Sequence, residues 1–340
     1  MRGLSTKSRL GRKQDMAAHP TIPIAAWVRC QQHEPTRPLS GTQEILPTPA
    51  TMPQPEPAEL QQRLDRIDDR LHTLLIARTE LARQIDAAGG APRQPNREAE
   101  KLRRLFARHR GMLPFAVVVS IWRELVGIAA QLAEPGAIAI YHAEEQAGLW
   151  DVARTQYGCH APMFGCRAAA PVIQAVADRK AVFGVLPLPQ ESEPEPWWPL
   201  IASRDPGVPR VVARLPLAGA GNARPGNDAF VIALAAAESA PPDCTLLAVE
   251  FDADTSRARV VNAIAAVGFD GGRILAVEMG EHASLALVEI DGDVAEDDPR
   301  RGELAAQLGQ GRDVIRRLGG YATPLATPAN NLATPIRAAS

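Results

Sequence analysis

The sequence is poor in several things that would each point to a function. Four cysteines in 340 residues, Cys30, Cys159, Cys166 and Cys244, contain no CxxC pair, so neither a disulfide framework nor a common zinc ribbon is expected. Cys159-His160 with Cys166 is the nearest approach to a metal set, but no second His follows at ligand spacing. Charge of one sign is missing too: 37 Lys and Arg stand against 39 Asp and Glu, which gives no footprint for nucleic acid or an anionic membrane surface. Continuous apolar runs such as Phe230–Ala237 fall far short of the ~20 residues a membrane span requires. Nor does the start, with its broken and Pro-flanked stretch Ile22–Val28, read as a secretory signal, and a cytoplasmic protein is expected.

Periodic order begins only near residue 57. Residues 1–56 carry scattered Pro, Thr and Gln without an apolar repeat, and are expected to be a disordered extension. Met52 is an alternative start. From Glu59 onward Leu60, Leu64, Ile67, Leu71, Leu74, Leu75, Ala82 and Ile85 recur three, four or seven apart, which predicts an amphipathic helix of about seven turns ending at Gly89-Gly90. A shorter helix follows Pro95, with Ala99, Leu102, Leu105 and Phe106 on one face. A third runs from Phe115 to Leu132. The first helix is longer than a compact 80-residue monomer needs, so its stripe is expected to continue against a second copy of the chain.

After Glu134-Pro135-Gly136 the period shortens. Strands are expected at Ala137–Tyr141, Ala181–Pro187, Val211–Leu215 and Phe230–Leu234, with helices around Leu149–Tyr157 and Val172–Ala177, an α/β layer arrangement. From Thr245 the order strand, helix, strand, strand, helix, then a closing helix or strand near Val314–Tyr321, is ferredoxin-like. The expected division is therefore 1–56 extension, 57–134 helical domain, 135–242 α/β domain, 243–325 ferredoxin-like domain and 326–340 tail, an α+β multidomain chain.

Arg78 lies in mid-helix in the apolar stretch Leu74-Leu75-Ile76-Ala77-Arg78, and Arg97-Glu98 opens the second helix. An Arg reaching into a helix bundle needs an anion, which points to a carboxylate ligand; an internal Arg–Glu bridge or a snorkelling surface Arg fits the same spacing.

Three segments carry a resemblance. Leu60 to Asp68 with Leu71, Leu74-Leu75, Arg78 and Leu81-Ala82, then Pro95-Asn96-Arg97-Glu98-Ala99-Glu100, then Trp122-Arg123-Glu124-Leu125, resemble the three helices of the all-helical chorismate mutases. The resemblance implies a Claisen rearrangement of chorismate to prephenate in aromatic amino-acid biosynthesis. The reaction is pericyclic, so it needs no cofactor or metal, and the implied partners are substrate and a second copy. It further implies that Arg78 and Arg97 bind the substrate carboxylates and that Glu98 accepts the ring hydroxyl. The family's first-helix Arg falls on Gln61, which keeps a substrate-binding position without charge. Its Lys falls on Gly89, and its third-helix polar pair on Ala129 and Ala133; Arg83, Arg93 and Lys101 are the cations nearby that would have to compensate. Phe183 to Ser192 and Asp228-Ala229-Phe230 resemble a prephenate dehydratase in which Asp228-Ala229 replaces the catalytic Thr-Arg. Residues 245–325 resemble an ACT regulatory domain that lacks the effector motifs, so aromatic amino-acid feedback is left open. The adjacent Trp197-Trp198 is expected to be an interface pair, or else a ligand platform.

Overall fold

A computed structural model describes residues 56–90, 94–143, 148–191, 193–205, 207–219, 226–234, 240–309, 311 and 314–326. The expected extension and tail therefore lie outside the described residues, apart from Glu56 and Ala326. Two units are distinguished, 1–61 and 62–340. Of the first, the described residues open the first helix.

The three helices form where apolar periodicity and punctuation place them: α1 Pro57–Ala87, α2 Pro95–Arg108 and α3 Phe115–Ala133. Pro95 sits at the first position of α2, where its missing N–H costs nothing. α1 ends in a left-handed Gly89 (φ 82°), with the Gly90 amide donating to the Ile85 carbonyl. Its apolar stripe is exposed, from Leu75 at 38% to Leu74 at 65%. α3 is long and apolar enough by length and composition to cross a membrane. It carries Arg123 and Glu124 in its middle, however, and buries Phe115, Val119 and Arg123.

Among the described residues, the rest of the chain builds one nine-stranded sheet. β1 Ile138–Tyr141 pairs in parallel with β2 Met163–Cys166 and β3 Phe183–Pro187, across α4 Gly148–Tyr157 and α5 Ala169–Ala177. β4 Arg210–Leu215 and β5 Ala229–Ala233 add an antiparallel pair beside β3. β6 Cys244–Asp252, α6 Arg257–Ala266, β7 Arg273–Glu278, β8 Ala283–Asp291, α7 Pro299–Gln307 and β9 Ile315–Tyr321 follow. Their four strands lie in the antiparallel order β9-β6-β8-β7, the βαββαβ arrangement expected from sequence, with the closing element a strand. β9 joins β4 through the single register pair Val211 and Gly319. Gly319 has φ 141°, and a Cβ there would collide with the Val211 carbonyl oxygen, so the seam requires glycine. The strand β2 is a finding that no alternating pattern announced.

Period-two alternation divides the core. On β6, Leu246 and Ala248 face one side with α5, whereas Leu247, Val249 and Phe251 face α6 and α7. On β1, Ile138 and Ile140 face Ala99, Leu102, Phe115 and Val119 of α2 and α3, with α4 beside them. The change at residue 134 is thus a change of secondary structure and not a break in packing. Trp197 and Trp198 correct the interface reading: both are 1% exposed, inside the core, and the Trp197 indole donates to the Pro187 carbonyl at 3.0 Å.

Candidate functional site

A cavity of about 620 Å³ opens where the last turns of α1, the start of α2 and the second half of α3 meet the sheet. Arg78, Arg97 and Glu98 all line it, so three of the four expected site residues converge. The convergence follows from helix spacing. On α2, Arg97 and Glu98 lie four and three positions before Lys101, which lies three before Arg104, and all four line the cavity. Arg78 enters from α1 and donates to the Leu125 carbonyl of α3 at 2.9 Å. Gln61 does not join them. It precedes Arg78 by seventeen positions in the sequence and is not among the residues that line the cavity.

Four cations, Arg78, Arg97, Lys101 and Arg104, line the cavity with three carboxylates, Asp86, Glu98 and Glu100. Among the described residues none of Arg78, Arg97, Lys101 and Arg104 is in ion-pair contact with a carboxylate. Burial lowers the pKa of Arg78. Lys101 is lowered as well, first by burial and then by Arg78, Arg97 and Arg104, against the pull of Glu98. A cation crowded by cations is stabilised by a bound dianion. Of the other cations named from sequence, Arg83 is turned away into a 2.9 Å pair with Glu80 on the exposed face of α1, and Arg93 lies outside the described residues.

Glu98 is held from two sides. Gln156 of α4 donates its Nε2 to Glu98 Oε1 at 3.0 Å, and the Arg123 charge acts on it from α3. Burial nevertheless pushes its pKa up, opposed by Arg123, Lys101 and the Gln156 hydrogen bond. Arg123 itself is 3% exposed, donates to the Ala218 carbonyl at 2.9 Å, and is pushed down by burial to about 10. Sequence reasoning passed over Arg123 as a site residue, although a lone cation in Ile121-Trp122-Arg123-Glu124-Leu125 is the same signal that singled out Arg78. Gln156, 58 positions from Glu98, had no signal.

The departures noted in the sequence have structural reasons. Gly89 is the left-handed residue that ends α1, so a side chain there is disfavoured. Ala129 and Ala133 line the cavity and leave its α3 wall apolar. Gln131 also lines it, but its amide is engaged with the backbone of Gly136 at both ends, Nε2 to the carbonyl at 2.8 Å and Oε1 from the amide at 3.2 Å.

Residues 60–133 match the model of the family described as chorismate mutase type II. The match ends one residue short of the Glu134 at which the helical pattern stops, and it holds Arg78, Arg97, Glu98, Lys101, Arg104 and Arg123. No curated protein matches the chain. Among solved structures, the prephenate dehydratase of Streptococcus mutans is 14% identical, covering 55% of this chain and 97% of that one at a TM-score of 0.35. The prephenate dehydratase of Arthrobacter aurescens in complex with L-Phe is 12% identical, covering 57% and 93% at a TM-score of 0.37. A protein titled GqqA, a novel type of quorum quenching acylase, is 16% identical, covering 55% and 95% at a TM-score of 0.38. Among the described residues no group of three or more His, Cys, Asp or Glu side chains is placed to hold a metal ion.

Proposed function

We propose that the chain is a cytoplasmic chorismate mutase acting as a homodimer, with Arg78, Arg97 and Glu98 as its substrate-contacting residues. The observation that carries this reading is the cavity with four cations and no carboxylate in ion-pair contact with them among the described residues. A dianion bound there is held in a compact conformer by two guanidinium groups, Arg78 and Arg97, while Glu98 accepts the ring hydroxyl. The pericyclic step breaks a C–O bond as a C–C bond forms, without nucleophile, metal or external proton. What the protein supplies is positioning and positive potential near the ether oxygen, where negative charge grows. Lys101 takes that second role. It stands one turn beyond Arg97, in the same cavity, where the position equivalent to the family's Lys is Gly89.

The exposed apolar stripe of α1 supports the dimer. Its residues are those of a helix that covers its apolar face with a second copy, and in such a pair Gln61 is offered to the other copy's cavity. The dehydratase-like reaction is not part of the proposal. Asp228, at the position of the catalytic Thr, is paired with Arg214 at 3.1 Å.

The test is chorismate turnover by the purified full chain, followed by ultraviolet absorbance. A second reading is a regulatory protein that binds an aromatic-pathway dianion without converting it. The apolar α3 wall at Ala129 and Ala133 favours it. Calorimetric binding of chorismate with no loss of absorbance would select that reading over the enzyme.

A further inference from the structure

The cavity has two walls of different origin. α1, α2 and α3 supply its charges. The opposite wall comes from beyond residue 133, outside the family match, and includes Gln156, Tyr157, Phe183, Ala213 and Leu215. Phe183, Ala213 and Leu215 present apolar surface, Tyr157 adds a ring with a hydroxyl, and Gln156 is the one amide. It sits in the last turn of α4, 5% exposed. One end of its amide donates to Glu98 at 3.0 Å. The other end, Oε1, is buried with no partner among the described residues. The hydrogen bond to Glu98 is therefore the one polar contact of the Gln156 side chain among the described residues.

The reach of Gln156 into the cavity is enforced by the backbone. A Cβ on Gly127 of α3 would collide with the Tyr157 carbonyl oxygen, so α3 and the end of α4 approach more closely than any other residue at 127 allows. That contact lies one residue from Gln156, and it fixes the distance between α4 and α3, which carries Arg123.

We infer that the α/β half of the chain is the second wall of the ligand site, and that Gln156 is the positioning residue that fixes the Glu98 carboxylate toward a hydroxyl-bearing anionic ligand. This rests on the mutase reading for the identity of that ligand. It assigns the half that resembles a dehydratase without its catalytic pair a part in building the pocket.

The groups facing Glu98 are Arg123 from α3, Lys101 from its own helix and Gln156 from α4. Gln156 is the one that can be altered without removing a charge. The experiment uses the full chain labelled with 13C at the Glu side-chain carboxyl, the Glu98 signal being assigned by its loss in Glu98→Gln. Gln156→Met keeps length and bulk and removes the donor; Gln156→Glu keeps shape and substitutes a second acid. Both should raise the titration midpoint of Glu98, by about half a unit or more, because the hydrogen bond that favours its charged form is gone. Turnover of chorismate should fall about tenfold near pH 6 and recover toward higher pH. A side chain that merely packs would lower the melting temperature and leave the midpoint in place, and an unmoved midpoint in whichever variant folds overturns the inference. A moved midpoint in a chain that never turns over chorismate retains Gln156 as the positioning residue and removes the mutase reading.

Discussion

Lys101→Met separates the two demands that the cavity makes on its cations. Lys101 lies four residues after Arg97 and three before Arg104 on α2, so it meets two like charges on its own helix, and one opposite charge in Glu98. Like-charge pairs at these spacings cost about 0.2–0.5 kcal/mol each, and an opposite pair returns a similar amount. The net cost on the helix is about 0.2–0.5 kcal/mol, and Arg78 across the cavity adds to it. The sign of the pH dependence follows from the lowered pKa. A lysine whose charged form is disfavoured by folding weakens the fold wherever it is protonated, and the penalty fades as pH rises past its folded pKa toward about 10.4. Lys101→Met should therefore stabilise the protein by about 0.5 kcal/mol at pH 7 and low salt, roughly 1–2 °C in Tm, with the gain shrinking as pH rises past the lowered lysine pKa. Activity should move the other way. Losing one preorganised charge aimed at the developing oxyanion costs about 2.7–4 kcal/mol, or ~10²–10³ in kcat/KM. Calorimetric melting and chorismate turnover on the same preparation measure both. A fold weakened by more than about 1 kcal/mol, or an unchanged kcat/KM, would refute the assignment of Lys101 to the site.

Arg78→Ala and Arg97→Ala should each cost about 3–5 kcal/mol in kcat/KM, since a substrate carboxylate is left unpaired in the cavity. Gln61→Arg should raise kcat/KM about tenfold by returning a cation to the clamp from the second copy, and silence in all three variants would end the mutase reading. Sedimentation at micromolar concentration should give a two-chain mass, which Leu71→Glu on the exposed stripe of α1 should reduce to one; a one-chain mass for the unaltered protein contradicts the dimer. Prephenate incubated with the protein should yield phenylpyruvate no faster than the uncatalysed reaction, because Asp228 is committed to Arg214. Gly127→Ala should cost about 1–3 kcal/mol of stability, read as a drop in Tm, since its methyl meets the Tyr157 carbonyl; an unchanged Tm would show that α3 and α4 part freely.

Much of the architecture was legible because it is written in local periodicity. Leucines at helical spacing from Leu60 to Ile85, Pro95 before Asn96, and Gly89 after Ala88 define α1 and α2 with no knowledge of their neighbours. The strand β1 and the βαββαβ succession after Thr245 follow from alternation and its interruptions. β2 was not legible. Met163–Cys166 is four residues with half-exposed and exposed positions, too short and too irregular to alternate. Arg78, Arg97 and Glu98 were legible as a set from their spacing and their likeness to known helices, and they meet in one cavity.

What the chain order alone determines is which residues share a helix face or a strand face, because those repeats are fixed by backbone geometry over a few residues. Which faces then meet is a matter of tertiary structure. The sequence marks Trp197-Trp198 as notable, but only the packed sheet puts both in the core with Phe230. It marks Gly127 and Gly319 as glycines inside regular elements, but only the approach of the Tyr157 and Val211 carbonyls says why each must be one. Glu98 is an exposed-looking acid in a polar helix until α4 brings Gln156 against it and α3 brings the buried charge of Arg123. The energy of such contacts belongs to pairs of residues far apart in sequence, so no window on the chain contains it.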